Sequence, residues 1–276
     1  METRKEFLGR LHARLGEFGE ETLTYDEGEF WMIRGPYETI ETYAEEHRLW
    51  NTALALPLTR GLHNGSHRKS SITKDGVSYR LPYLIHPLLV CRMLIDIGLP
   101  LPPEEEDILL ASALCHDMIE DIPFPEHGRE MVDKFGLDER VYETVKFVSK
   151  RRDFTEEEEK AFFHDIESHK LAALIKLSDR GNNVEDLYNM SVWKVHEYVG
   201  ETEKFFFPMC AYAKEHYPEL FLAFEVLEDK IRCLTYAAET LVDRYSAREQ
   251  ELRDQLDALR EENGKLREEW QSVRDL

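Results

Sequence analysis

A chain of 276 residues is long enough for one domain of about 150 to 200 residues with appendages. Its formal net charge of −21 opposes binding to a nucleic-acid polymer, and an anionic small substrate would need a local basic pocket or a metal ion. With 42% apolar residues, only 14 Gly and 11 Pro, and long stretches of Leu, Ala, Glu, Lys and Arg, the composition predicts an all-α fold.

No apolar run approaches the roughly 20 residues that span a bilayer. Met1-Glu-Thr-Arg-Lys-Glu leads into an amphipathic stretch, so a soluble, cytoplasmic protein with no membrane partner is expected. Cys91, Cys115, Cys210 and Cys233 form no C-x-x-C pair and are expected to be reduced, buried thiols.

Residues 1 to about 20 place Phe7, Leu8, Leu11, Leu15 and Phe18 on one helical face. Thr22 to Ile33 reads as a small hairpin turning at Asp26-Glu-Gly28. Tyr37 to about His63 reads as helix despite Pro57, and His63 to Leu81, rich in Gly, Ser and Asn, as a loop. Leu84 to Ile97 is an apolar helix stopping at Gly98-Leu-Pro. Pro103, followed by Glu104, Glu105 and Glu106, opens a helix that ends before Pro123. Further helices are expected at about 126–135, 138–150, 155–168, 171–189 and 194–216, with Pro218 preceding a long last one.

That last helix carries two heptad seams. Phe224, Leu227, Ile231, Leu234, Ala238, Leu241 and Tyr245 form one, and Leu252, Leu256, Leu259, Asn263, Leu266, Trp270 and Val273 the other. They are out of phase, with the break near Ala247 to Leu252. The first half is expected to pack on the domain and the second, from about 247, to pair as a homodimeric coiled coil, with Asn263 at a register-setting a position. The expected organisation is an extension over 1–50, a domain over 51–218 and the long helix over 219–276.

Chemistry concentrates in Ala113-Leu-Cys-His-Asp-Met-Ile-Glu-Asp121. His116 and Asp117 leave a helix about 100° apart, and Glu120 and Asp121 follow one turn later, so all four can converge on one patch. Imidazole with carboxylate suits Mn, Fe or Zn better than Ca or Mg. The cluster also fits a solvated helix end. Two other segments can supply further ligands. His86 stands at the start of an apolar helix with Pro87 in its first turn, a place that also suits a core or cap histidine. Asp179, Arg180 and Asn183 lie in an apolar stretch where an unpaired carboxylate would be costly, so Asp179 needs a cation or an internal salt bridge to Lys176 or Arg180.

Taken in order, His63-x-Gly65-x-x-Arg68-Lys69, Tyr83-x-x-His86-Pro87, His116-Asp117-x-x-Glu120-Asp121 and Lys176-Leu-Ser-Asp179-Arg-x-x-Asn183 resemble the HD-domain superfamily. More narrowly, they resemble the hydrolase domain of RelA/SpoT-type alarmone enzymes and their small single-domain relatives, over roughly residues 50 to 218. The resemblance implies an HD-type helical bundle and a metal-dependent hydrolase that removes pyrophosphate from the 3′ position of guanosine tetra- or pentaphosphate. It implies His86, His116, Asp117 and Asp179 as ligands of one Mn2+, with other divalent transition metals as alternatives. Glu120 and Asp121 would orient and deprotonate the attacking water.

Under the same resemblance Arg68 contacts the guanine base with Lys69 nearby, and Asn183 lines the nucleotide pocket with support from Lys176 or Arg180. Arg68, Lys69 and the run Lys150-Arg-Arg152 would give a local positive field. The chain departs from the pattern in the insertion Ser70 to Arg80 and in Gly181-Asn182, where a bulky residue and a His or Tyr are usual. Two other readings stay open: an HD phosphohydrolase of another nucleotide, such as a 5′-nucleotidase, a dNTPase or an NADPH phosphatase, and a catalytically idle nucleotide sensor.

Overall fold

The computed structural model describes residues 2–18, 23, 25–121, 132–150, 153–187 and 190–274, apart from the side chains of 121, 269, 272 and 273. Among them the regular secondary structure is helical except for one hairpin. In order come α1 (Arg4–Leu15), α2 (Glu27–His47), α3 (Trp50–Leu62), β1 (His67–Lys74), β2 (Val77–Pro82), α4 (Ile85–Ile97), α5 (Pro103–Cys115) and the short α6 (Met118–Asp121). They are followed by α7 (Glu139–Val148), α8 (Glu156–Glu167), α9 (Lys170–Glu185), α10 (Val192–Glu201), a π-helical turn (Thr202–Phe206), α11 (Phe207–His216) and α12 (Phe221–Arg274). The expected all-α architecture with a long C-terminal helix is what the chain forms.

The core is built around α9, whose Leu171, Ala172, Ala173, Leu174, Ile175 and Leu177 are all at most 8% exposed. It packs on α4, α7 and α12. Gly181 allows the close approach: a side chain there would meet the Met93 sulfur of α4 at 3.4 Å and Ile231 of α12 at 3.9 Å. On this buried helix the polar residues Lys176, Asp179, Arg180 and Asn183 recur at helical spacing, so one polar stripe runs down an otherwise apolar rod.

The N-terminal helices join the same core. Phe7 and Leu11 of α1, and Ile33, Ile40 and Ala44 of α2, cluster with residues of α3 and α5. On α3 the N-cap is Leu49, which has no capping side chain. Buried Asp107 of α5 takes that role from a distance, accepting from the Asn51 and Thr52 backbone N–H groups at 3.0 and 2.9 Å, Asn51 Nδ2 at 2.8 Å and Thr52 Oγ1 at 2.9 Å. The orphan donors of one helix thus fix it to another.

Several sequence expectations need correction. No hairpin forms at 25–33. Asp26 instead caps α2 by accepting from the Gly28 N–H, and Glu27 and Glu29 sit at the positive end of the dipole. The helix expected over Tyr37–His63 is broken at Arg48, which takes a left-handed conformation (φ 58°) so that buried Leu49 can turn inward. The segment taken as a loop is the β1–β2 hairpin: Lys74 pairs with Val77, and Asp75 and Gly76 (φ 52° and 78°) make the tight turn. The helix expected at 126–135 lies mostly outside the described residues.

Over 194–216 the helix is interrupted by the π turn, because Pro208 has no N–H to continue the i→i−4 ladder. Of the four thiols, Cys91, Cys115 and Cys210 are buried, but Cys233 is exposed, since it lies two residues beyond buried Ile231 on α12.

The last helix behaves in two ways along its length. Phe224, Leu227 and Ile231 are fully buried, and Leu234 and Ala238 pack on a small second cluster with Val184, Leu187, Val195 and Val199. Leu241, Tyr245, Leu252, Leu256, Leu259, Leu266 and Trp270 are exposed. No helix among the described residues is long and apolar enough to cross a membrane.

Candidate active site

Three helices bring the predicted ligands together. His86 is the second residue of α4, His116 and Asp117 form the turn between α5 and α6, and Asp179 comes from the polar stripe of α9. His86 Nε2 and His116 Nε2 stand 3.2 Å apart. Asp179 Oδ1 lies 3.2 Å from the first and 3.9 Å from the second. Asp117 spans the pair, at 3.5 Å from His86 Nε2 and 3.3 Å from His116 Nε2. Donor atoms of His86, His116 and Asp179 all fall within 4.8 Å of one another.

A further set of contacts decides which ring nitrogens are free. His86 Nδ1 is 2.6 Å from the Asn182 side-chain oxygen, and His116 Nδ1 is 2.8 Å from the Ala113 carbonyl, an orphan acceptor near the end of α5. Both partners are acceptors, so each Nδ1 carries the proton and each neutral ring turns a bare Nε2 lone pair inward. Two lone pairs and two carboxylates aimed at one point cannot satisfy each other. They fit a divalent cation held by mixed nitrogen and oxygen donors, with the outer partners orienting the rings.

The carboxylates are oriented too. The Tyr83 hydroxyl donates to Asp117 Oδ2 at 2.7 Å, Asn183 Nδ2 donates to Asp179 Oδ1 at 2.6 Å, and Lys176 Nζ lies 3.2 Å from Asp179 Oδ2. The salt bridge to Lys176 is therefore present together with the cluster. Burial opposes ionisation of Asp179, yet Lys176 and the two imidazoles outweigh it and hold its carboxyl well below the usual range. Asp117 is likewise lowered: burial works against the charge, and His116 and His86 overcome it. Burial also works against a charged His86, but Asp179 and Asp117 push its pKa up, as expected where two carboxylates converge on one ring with no cation between them.

His86, Asp117 and Asp179 of this cluster line a cavity of about 760 Å³. Its walls carry Arg68, Lys69, Lys150, Lys176, Arg180 and Lys194, interspersed with Glu120, Asp186 and Glu201, in a protein of net charge −21. Arg68 lies 2.9 Å from Asp186 Oδ2 and donates at 3.4 Å to the side-chain oxygens of Asn182 and Asn183. Lys69 beside it is exposed. Arg180 is buried against Phe206 and Tyr198, pairs with Glu201, and has no hydrogen-bond partner for its Nη1 among the described residues. Lys150 bonds Glu159 and Glu201.

Glu120 opens onto the same cavity and accepts from the Lys150 N–H. The cavity walls partly desolvate it and raise its carboxyl above the ordinary value, against the pull of Lys176 and of that N–H. The side chain of Asp121, and Arg151 and Arg152 of the basic run, lie outside the described residues.

Residues 83–184 match the HD domain family. That span contains every residue of the donor cluster and the polar stripe of α9. The family is in general one of metal-dependent phosphohydrolases, and the HD residues of this chain meet the requirements of a divalent metal. No curated protein matches the chain.

Sequence reasoning missed three contributors. Tyr83 was read only as a motif position, yet it orients Asp117. Asn182, marked as a departure from the alarmone-hydrolase pattern, sets the tautomer of His86. The cavity also takes in α10 through Trp193, Lys194 and Tyr198, whose segment has no motif of its own. Spacing gives a signal for the second only, since Asn182 follows Asp179 on one helix.

Proposed function

We propose that this HD domain is a Mn2+-dependent hydrolase of a guanosine 3′-diphosphate such as guanosine tetra- or pentaphosphate, releasing pyrophosphate and leaving GDP or GTP. The observation that carries the reading is one cavity on which His86, Asp117 and Asp179 of the nitrogen and oxygen donor cluster meet six Lys and Arg side chains. Such a cavity suits a substrate with several phosphates, because the rest of the acidic chain repels one. The resemblance of the ordered motifs up to Asn183 to alarmone hydrolases favours alarmones among such substrates.

In this reading His86, His116, Asp117 and Asp179 hold the ion, and Asn182, Tyr83, Asn183 and Lys176 keep those four in place. A bound divalent ion would supply a water of lowered pKa and offset charge developing on phosphorus. Glu120, with its raised carboxyl, would accept a proton from the attacking water, and Asp121 would share in orienting that water. Lys176, Arg180 and Lys150 neutralise phosphate oxygens from the walls. Arg68 and Lys69, at the hairpin side of the cavity, meet the base and ribose, with Asn183 beneath them. For Arg68 this requires exchanging its contact with Asp186 for one with the nucleotide.

The test is hydrolysis by the purified full chain with Mn2+, offering guanosine tetraphosphate beside dNTPs, nucleoside monophosphates and NADPH. GDP and pyrophosphate as products of the first substrate alone support the proposal. Preferred turnover of any other substrate overturns the alarmone assignment, and bound metal with no turnover of any substrate overturns the hydrolase reading.

A further inference from the structure

The last helix changes surroundings along its length. Buried against the core through Ile231, it carries from Leu252 onward a row of Leu252, Leu256, Leu259, Leu266 and Trp270 that is 48 to 64% exposed. Residues 247–274 form about 40 Å of helix at 1.5 Å per residue, all of whose described side chains are exposed. A lone helix of this kind leaves a continuous apolar stripe in water.

The charges beside the stripe specify what covers it. With Leu256, Asn263 and Trp270 at a, and Leu252, Leu259 and Leu266 at d, the e positions are Arg253, Arg260, Arg267 and Arg274. The g positions are Gln255, Glu262 and Glu269. In a parallel, in-register pair each g residue faces the e residue five positions on in the other helix. Glu262 then meets Arg267 of a second copy, Glu269 meets Arg274, and Gln255 meets Arg260. An antiparallel pair would set e against e and g against g, arginine on arginine and glutamate on glutamate.

Asn263 points the same way. In the single chain its Nδ2 donates to its own helix, to the Leu259 carbonyl at 3.1 Å. At an a position of a parallel pair the two Asn263 amides face each other and can bond. A shifted register would set an amide against leucine and leave it without a partner.

We propose that the free half of α12 is a self-complementary docking surface whose partner is a second copy of this chain, paired in parallel and in register. Both metal centres then lie at the same end of the coil. This inference is independent of the substrate assignment.

The full-length protein tests it. Sedimentation should give twice the 32.5 kDa chain mass at micromolar concentration. In a Cys233→Ser background, Leu266→Cys should crosslink to itself on mild oxidation, since only parallel, in-register helices bring the two d positions within disulfide reach. Arg267→Glu alone should weaken the dimer about tenfold, and adding Glu262→Arg should restore it. A monomer at tens of micromolar, no crosslink through position 266, or a single charge reversal that tightens the dimer would each overturn the proposal. All these positions are exposed in the single chain, so far-ultraviolet circular dichroism of each variant should retain the helical domain.

Discussion

Two buried carboxylate centres in this chain use their charge in opposite ways. Asp107, at 8% exposure, is surrounded by donors: two backbone N–H groups, an amide and a hydroxyl of Asn51 and Thr52. Asp179, equally buried, and Asp117 face two imidazole nitrogens whose protons point away toward Asn182 and Ala113. The first centre is complete within the protein and fixes α3 to α5. The second has acceptors turned toward acceptors, an arrangement that a divalent cation would complete. A fully satisfied buried charge marks structure, and an incompletely satisfied one marks a site.

Exchanging the chemistry of the two centres should separate stability from activity. Asp179→Asn should lower Mn2+-dependent hydrolysis by at least about a thousandfold with little change in the thermal midpoint of the metal-free protein, measured by kinetics and calorimetry. Asp107→Asn should do the reverse. It leaves buried backbone donors of α3 facing an amide, costs about 3 kcal/mol in urea unfolding, and keeps kcat within a few-fold. Glu120→Gln should retain metal and lose about a hundredfold in kcat, because it removes a proton acceptor but no ligand.

His63 sharpens the contrast as a buried imidazole on which burial outweighs the opposing pull of the nearby Asp117 carboxylate. Its Nε2 has no partner among the described residues, and burial pushes its pKa down to about 4. The unfolded chain therefore binds a proton near pH 6.5 that the folded chain refuses, and the stability present above that pH is lost as it falls toward 4. Between pH 6.5 and 5 the loss should reach up to about 2 kcal/mol, and His63→Gln should flatten that part of the profile in urea titrations. The smallest effect expected is at Asn182→Ala, which frees the His86 ring and should weaken Mn2+ binding about tenfold by titration calorimetry.

Much of this was legible beforehand where the physics is local. The helices from α4 onward announce themselves through Pro103 with its three glutamates, Gly98 as a left-handed stop, and apolar periodicity. The candidate ligands His86, His116, Asp117 and Asp179 could be named together only through the resemblance to the HD-domain superfamily, since a cap histidine and an internal salt bridge fit His86 and Asp179 taken singly. Two errors came from turn signals. Asp26-Glu-Gly28 was taken for a hairpin, though an aspartate followed by acidic residues equally starts a helix. The true hairpin turn, Asp75-Gly76, was hidden in a polar segment whose strands bury little more than Ser70 and Pro82.

The outer contacts of the metal cluster were not legible, because they join residues far apart in sequence, such as Asn182 to His86 and Tyr83 to Asp117. The phase break in α12 was readable as two seams. Which seam is buried is decided by tertiary contact with Val184, Val195 and Val199.

The central claim is that the imidazole and carboxylate cluster is a metal centre and the Asp107 cluster is not. Titration calorimetry of Mn2+ into the metal-free full chain, with Asp107→Asn and Asp179→Asn alongside, tests it most directly. The account predicts one site per chain in the parent and in Asp107→Asn, and none in Asp179→Asn. An undiminished Mn2+ isotherm in Asp179→Asn would contradict it.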